Sequence, residues 1–303
     1  DTLSMAATMP ALYRELRHER SLLAATRRVV SGGMVAAGAR RGVPFRGVVG
    51  GVGRVPGAMA AALVGSGVQI RTRSTVRSIR PAEVGWSVEM GPPDRPEILR
   101  ADAVVLATPA GPAATLLREA APEAAWELAR IEYASVAVAA LAYRVEDVGA
   151  PLTGSGLLIP PVEGRAIKAV TYLDCKWGWV EGAAAGTGLR LLRVSVGRHG
   201  ESAVLQRTDS ELLDLVRVDL AYLLGIEAAP VDARVTRWGG ALPQYAVGHR
   251  GVVERIRTGL RDAPTVAVCG AHLDGVGVAA CVGSAHEASS RVLRGLAQVA
   301  VRG

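Results

Sequence analysis

The spacing of apolar positions changes along the chain, and each spacing predicts a type of element. Alternation of apolar and polar residues predicts a β-hairpin made of strands at 75–79 and 85–90. Short continuous apolar runs predict parallel-type strands, covered on both faces, at 68–71, 103–107 and 265–268. Apolar residues three and four apart predict helices from Ser4 to Arg28 with an interruption at Pro10, and at about 56–64, 112–119, 208–224 and 278–298.

The middle of the chain has a different pattern from its ends. Alternating apolar residues predict further strands at 135–144, 156–159, 167–172, 191–196 and 231–238. These strands lie between the parallel-type strands, so we expect one domain to be interrupted by another. The predicted fold class is therefore α/β and α+β, with one domain built from residues 1–49 and 113–238 and the other from residues 50–112 and 239–303.

The most informative segment lies near the end of the chain. A short apolar strand at 266–268 leads through Gly270, Gly275 and Gly277 into a helix that starts at Val278. Such a turn places free backbone N–H groups at the positive end of a helix, where they suit an anionic or electron-rich cofactor. The spacing is not G-x-G-x-x-G, and a tight strand–helix turn of any α/β domain explains the same residues. Both interpretations stay open at this point.

Composition narrows the classes of function. The chain has 303 residues, a formal charge of +7 and 35 basic residues, of which only Lys168 and Lys176 are lysines. The arginines are scattered and no basic stripe carries interleaved aromatic residues, which argues against a nucleic-acid partner. The positive charge agrees with an acidic small-molecule substrate. Apolar runs such as 134–143 are far too short to span a membrane, and three widely spaced cysteines predict a reducing, cytoplasmic compartment rather than a disulfide framework.

Common catalytic motifs are missing. The sequence has no H-E-x-x-H, C-x-x-C, G-x-S-x-G or Walker pattern. The five histidines have no metal-ligand spacing, so we predict no metal, and no catalytic residue is identified. Two segments, 176–179 and 237–249, are unusually rich in tryptophan and other large or uncommon side chains. Each segment taken alone is explained by aromatic side chains that pack beneath loops.

Taken together and in order, blocks along nearly the whole chain resemble the FAD-dependent porphyrinogen oxidases, which oxidise protoporphyrinogen or coproporphyrinogen in haem synthesis. The Leu-Pro-Gln-Tyr and Gly-Val-Gly blocks are the most specific. The blocks are Leu3-Ser-Met5 with Pro10, Gly50-Gly51, Asp102 to Ala110, Tyr133 to Ala137, Gly154 to Pro160, Lys176-Trp177, Gly197-Arg198, Arg237-Trp238, Leu242-Pro-Gln-Tyr245 with Gly248-His249, and Gly275-Val-Gly277 with Ala280-Cys281.

The resemblance implies a cofactor, a substrate and site residues. It implies FAD bound in a glutathione-reductase-like domain at 50–112 and 239–303, and a substrate-binding domain at 1–49 and 113–238. Implied FAD contacts are Val76, Trp238, Ala271, Val276, Gly277 and Val278. Positions facing the tetrapyrrole are Ser155, Gly156 and Leu158. Oxygen is the implied electron acceptor.

The resemblance also leaves alternatives. The arginine-rich sequence favours coproporphyrinogen III, with its four carboxylates, over protoporphyrinogen IX. Another flavin amine oxidase or a carotenoid desaturase shares the Gly-Gly and Ala-Thr-Pro features, but is not expected to carry Leu-Pro-Gln-Tyr. Contact with a membrane surface and with a downstream haem-synthesis enzyme stay open.

In such enzymes a strand, G-x-G-x-x-G and a helix come first, and that segment would precede Asp1. We therefore expect the chain to be a C-terminal portion with an incomplete FAD sheet. A portion of this kind lacks the helix N-terminus that holds the FAD pyrophosphate. The alternative to an active oxidase is therefore a chain that is inactive as given and at best binds porphyrin.

Overall fold

A computed structural model describes residues 2–36, 47–149 and 151–302. The strands within these ranges are β1 (Val76–Pro81), β2 (Trp86–Met90), β3 (Glu97–Ala101), β4 (Val104–Leu106), β5 (Tyr133–Arg144), β6 (Gly156–Leu158), β7 (Ile167–Tyr172), β8 (Leu189–Val196), β9 (Asp232–Pro243) and β10 (Val266–Val268). The α-helices are α1 (Met5–Thr8), α2 (Pro10–Leu16), α3 (Leu22–Ala36), α4 (Arg54–Gly65), α5 (Ala110–Leu117), α6 (Pro122–Ala129), α7 (Leu173–Lys176), α8 (Gly178–Ala184), α9 (Asp209–Leu224), α10 (His249–Gly259) and α11 (Val278–Arg302).

The chain forms two compact units that alternate along the sequence. The first contains Asp1–Pro44, Arg71–Glu132 and Pro243–Gly303, and the second contains Phe45–Ile70 and Tyr133–Leu242. The boundaries at 44/45 and 242/243 lie within five residues of those predicted at 49/50 and 238/239, but the boundary predicted at 112/113 lies at 132/133. The segment 1–44 was predicted to belong with 113–238 and is instead in the first unit, and 50–70 is in the second. Helices α5 and α6 fall in the first unit because α6 packs on α10, where a Cβ on Gly259 would stand 2.6 Å from the Ala124 nitrogen. The role predicted for each part stays a prediction.

The first unit contains two small sheets. Strands β1, β2 and β3 form an antiparallel sheet, and β4 pairs in parallel with β10, Val104 opposite Val266 and Leu106 opposite Val268. Helix α11 packs on β10 through Ala267, Cys269, Ala288 and Val292, as the all-buried pattern of β10 requires. The close approach depends on Gly295, where a Cβ would stand 2.3 Å from the Pro264 oxygen.

The second unit is built on a five-stranded sheet in the order β6-β7-β8-β5-β9, with antiparallel ladders from β6 through β8 to β5. Helix α9 covers its core with Leu212, Val216 and Leu220. A capping box between Thr208 and Glu211 begins this helix, and a left-handed residue follows it at position 225.

The predicted hairpin, the parallel pairing of β4 with β10, the central strands and helix α9 are confirmed. The strand predicted at 68–71 is wrong. The Val68 N–H donates to the Leu63 oxygen, and Gly67 has a φ of +83°, so this segment belongs to the C-terminal turn of α4. Its apolar residues are exposed: Val68 is 45% and Ile70 is 46% accessible.

Five of these elements were not predicted: β3, α6, α7, α8 and α10. The mixed α/β and α+β fold class is confirmed. Within the described ranges, every helix is too short or too polar to cross a bilayer.

Candidate functional site

Two parallel strands of the first unit end at the same edge. Leu106 and Val268 are the paired last residues of β4 and β10, and the Cys269 N–H donates to the Leu106 oxygen at 2.9 Å. The loops at 107–109 and 269–277 follow directly from this edge. Ligands of open α/β sheets bind outside the carboxyl ends of the strands, so these loops define the candidate site.

Two glycines of the loop at 269–277 are present for different physical reasons. A Cβ on Gly275 would stand 2.7 Å from the Ala280 Cβ, so packing within the protein requires this glycine. At Gly277 a Cβ would meet no heavy atom within 4 Å, and its φ is not positive. Neither packing nor backbone conformation therefore requires Gly277. An open space over a backbone without a side chain fits the close approach of a ligand.

The surface around Gly277 is apolar and positively polarised. Val276 and Val278 are 53% and 60% exposed. The first intrahelical bond of α11 joins the Cys281 N–H to the Gly277 oxygen, so the N–H groups of residues 278–280 lie at the positive end of the helix dipole. This combination suits a flat ligand that has an apolar face and electron-rich polar edges.

Two buried side chains hold the first half of the loop at 269–277 through hydrogen bonds to its backbone. Tyr245 and His249 are each 4% exposed, and their rings stack with centroids 4.0 Å apart and planes 10° apart. The Tyr245 hydroxyl donates to the Ala271 oxygen at 2.5 Å, and His249 Nε2 lies 2.9 Å from the Leu273 oxygen. Since a carbonyl oxygen can only accept, His249 carries a proton on Nε2.

Two polar atoms in these loops are buried without a hydrogen-bond partner among the described residues: Thr108 Oγ1 and His272 Nε2. Burial, with a smaller contribution from the neighbouring His249, lowers the pKa of His272 to about 4. His272 is therefore neutral at pH 7. Both atoms are covered by protein, so they belong to the base of the site rather than to its open surface.

The structure brings four predicted FAD contacts together: Ala271, Val276, Gly277 and Val278 share one loop and the start of α11. Val76 belongs to the same unit but to the other sheet, half-buried at the start of β1. It stands opposite Met90, beside an irregularity in the register with β2.

The remaining predicted residues lie in the second unit, at opposite edges of its sheet. Trp238 is on β9, is 55% exposed and lines a cavity of about 320 Å³ with Leu205 and Arg237. Ser155, Gly156 and Leu158 lie at or beside β6, which three other strands separate from β9. At the usual strand spacing the two edges are about 19 Å apart. The sheet therefore does not bring Trp238 to the predicted tetrapyrrole positions.

In strand β6, pairing with β7 explains Gly156, whereas Leu158 is exposed. A Cβ on Gly156, whose φ is +146°, would stand 2.1 Å from the Val170 oxygen, so strand pairing requires glycine here. Leu158 is 87% exposed and Val162, just beyond the strand, is 88% exposed. No described residue of the second unit covers these two side chains, and they form an apolar surface available to a ligand or partner.

Sequence reasoning missed the role of Tyr245 and His249, although it singled out their block as unusual. It also missed the role of Arg198, although Gly197-Arg198 is among the resembling blocks. Arg198 donates to the oxygens of Ile159, Arg165 and Ile167 and so holds the β6–β7 connection in place. Among the described residues, no three histidine, cysteine or acidic side chains are placed to share a metal ion.

Comparison with known proteins identifies the family. Residues 1–293 match the family described as flavin containing amine oxidoreductase. Coproporphyrinogen III oxidase from Mycobacterium tuberculosis (strain ATCC 25618 / H37Rv) is 43% identical over 202 residues, which is 66% of this chain and 42% of that protein. The enzyme of the same name from Bacillus subtilis (strain 168) is 32% identical over 209 residues, 69% of this chain and 43% of that protein.

A solved structure agrees with these relatives. The Exiguobacterium sp. 255-15 protein named "Putative protoporphyrinogen oxidase" superposes with a TM-score of 0.77 at 24% identity, covering 97% of this chain and 60% of that one. This likeness shows the fold. The chain spans less than half the length of the curated relatives described above. The resemblance inferred from the sequence is confirmed, and so is a flavin as the class of cofactor.

Proposed function

Because the chain belongs to the flavin containing amine oxidoreductase family, we propose that the protein uses FAD to oxidise a porphyrinogen to the porphyrin, with oxygen as the electron acceptor. Coproporphyrinogen III is the favoured substrate. The observation that carries the proposal is the open backbone at Gly277, between two exposed valines and at the N-terminus of α11. The names of the relatives, matched over two thirds of this chain, support a porphyrinogen over an amine.

The residues of the loop fit a flavin. Val276 and Val278 offer an apolar surface to the ring and exclude water from it, and Gly277 permits contact with the backbone. The N–H groups that open α11 stabilise negative charge on the polar edge of the ring. When bound, FAD supplies the hydride acceptor, while the protein supplies position and electrostatics.

The other residues of the proposal lie in both units. Val76 and Ala271 are further proposed FAD contacts in the first unit, and Trp238 is one in the second. Ser155, Gly156 and Leu158 are the proposed substrate positions, with the exposed side chain of Leu158 covering an apolar part of the tetrapyrrole. The proposed location is the cytoplasm.

The test replaces Gly277 by valine. A Cβ at this position would meet no heavy atom within 4 Å, so we expect unchanged thermal unfolding and FAD affinity at least tenfold weaker. Flavin binding is measured by titration of the purified protein with FAD, followed in the visible spectrum. Gly283→Ala is the matched control, because Gly283 lies within α11 and also has no heavy atom within 4 Å of its Cβ position. Equal FAD affinity of Gly277→Val and the wild type would place the flavin elsewhere.

Turnover then separates the candidate functions. We expect coproporphyrin fluorescence to appear faster from coproporphyrinogen III than protoporphyrin from protoporphyrinogen IX. Oxidation of cyclohexylamine without porphyrinogen turnover would favour an amine oxidase, the function named for a structural neighbour from Brevibacterium oxydans IH-35A, with a TM-score of 0.62 at 19% identity. Binding of coproporphyrin without FAD binding or turnover would favour a binding protein over an enzyme.

A further inference from the structure

The loop at 269–277 has a fixed half and an open half. Protein groups contact its first half at successive positions: the Gly270 N–H donates to Ser284 Oγ at 3.0 Å, and the oxygens of Ala271 and Leu273 accept from Tyr245 and His249. The second half contains Val276 and Gly277, which are exposed. Fixing the residues before the open ones restricts the conformations that the open ones can adopt.

The Tyr245–His249 stack fixes two peptide planes. In a trans peptide the C=O and the following N–H point in opposite directions. The Ala271 oxygen points to the Tyr245 hydroxyl, so the N–H of His272 points away from the stack; the Leu273 oxygen points to His249, so the N–H of Asp274 does the same. The stack therefore determines the direction in which the chain enters the open half of the loop.

The stack itself is held in one position. Both rings are buried, and His249 begins α10 immediately after Gly248, whose φ is +91°. Tyr245 is anchored through its backbone, since its oxygen accepts from the Ser4 N–H at 2.7 Å. Neither ring is exposed on the open surface around Gly277, so neither is placed to contact a ligand there.

We propose that Tyr245 and His249 are positioning residues for the flavin: their stacked rings hold the carbonyls of Ala271 and Leu273, and so preset the backbone at Val276 and Gly277 to receive the ring. This inference rests on the proposed function of the loop. It gives the Leu-Pro-Gln-Tyr and Gly-His segment a role at the Gly-Val-Gly segment, although 25 residues separate His249 from Gly275 in sequence.

The test uses variants that keep a ring and remove one donor. Tyr245→Phe and His249→Phe each lose a hydrogen bond to the loop, whereas His249→Gln offers a side-chain N–H in place of the imidazole donor. Tyr13→Phe is the matched control, because Tyr13 is an exposed tyrosine of the same unit. Amide hydrogen exchange over 269–277 is measured without FAD, and FAD affinity and the visible spectrum of bound FAD are measured afterwards.

We expect exchange in the loop to accelerate about five- to tenfold in Tyr245→Phe and His249→Phe, and FAD affinity to fall by a similar factor with a shifted flavin spectrum. His249→Gln should recover part of the affinity, and Tyr13→Phe should behave as the wild type. If Gly277→Val weakens FAD binding while Tyr245→Phe and His249→Phe do not, the positioning role is wrong and the proposed flavin site stands. If none of the three affects FAD binding, the proposed site itself is wrong.

Discussion

Because His272 is buried and neutral, we expect the first unit to lose stability in mild acid. Its imidazole is 1% exposed, and burial lowers its pKa to about 4, whereas a histidine in the unfolded chain titrates near 6.5. As the pH falls below 6.5, the unfolded chain takes up a proton that the folded protein does not. The stability contributed by His272 is therefore complete at neutral pH and is lost between about 6.5 and 4.

The size of the effect follows from the two pKa values. With values of 6.5 and about 4, proton uptake favours the unfolded chain by about 0.2 kcal/mol at pH 7 and by about 2 kcal/mol at pH 5. The predicted loss between these pH values is thus about 2 kcal/mol, a large part of the stability of an ordinary domain.

Urea unfolding at pH 5, 6 and 7 measures the loss, with tryptophan fluorescence and far-UV circular dichroism as probes. His272→Gln removes the titrating group, so we expect its stability to fall between pH 7 and pH 5 by about 2 kcal/mol less than that of the wild type. His286→Gln, an exposed histidine of α11, is the matched control and should keep the full pH dependence. If His272→Gln and the wild type lost the same stability, the buried neutral imidazole would not be the cause.

Three further substitutions test other parts of the structure. Glu127 is buried and receives two hydrogen bonds from Arg255, at 2.6 and 3.1 Å, so Glu127→Gln should lower the free energy of unfolding by about 1 kcal/mol in urea titrations. In Gly156→Ala the new methyl group would stand 2.1 Å from a carbonyl oxygen of β7, so thermal unfolding should show that the free energy of unfolding falls by at least about 2 kcal/mol. Gly154→Ala is the control, because a Cβ there has open space, and it should cost only about 1 kcal/mol. Leu158→Ser should leave the melting temperature unchanged, because the side chain is 87% exposed, and should raise the KM for coproporphyrinogen III.

Elements whose residues carry a complete local signal could be predicted from the sequence. Helix α9 has an apolar stripe, an N-terminal capping box and a glycine after its last turn, and its predicted range of 208–224 differs from the observed one by one residue. The β1–β2 hairpin alternates clearly. Strand β3 could not be found in this way because its burial pattern is almost entirely exposed, and its only partner in the sheet is β2. Val68 and Ile70 led to a wrong prediction for the opposite reason: they are β-type residues, but they are exposed and belong to no strand.

The candidate site was only partly visible in the sequence. Glycines and a helix start located the loop, because those signals are local. The support from Tyr245 and His249 acts on backbone carbonyls 26 and 24 residues further along the chain. Since every residue has a carbonyl, no residue type in the loop indicates that such a bond exists. The unusual composition of residues 237–249 is visible in the sequence, but the role of Tyr245 and His249 follows only from the three-dimensional structure.

Glycines give the clearest case of one sequence signal with several physical causes. Gly275, Gly277 and Gly156 all belong to blocks that resemble the porphyrinogen oxidases. A Cβ would collide with Ala280 at the first and with the Val170 oxygen at the third, but would meet nothing at the second. The missing side chains of Gly275 and Gly156 are therefore explained by the fold, and any contact of Gly156 with substrate must use its backbone. At Gly277 the described residues supply no such explanation, and its place between two exposed valines at the start of α11 favours a ligand there.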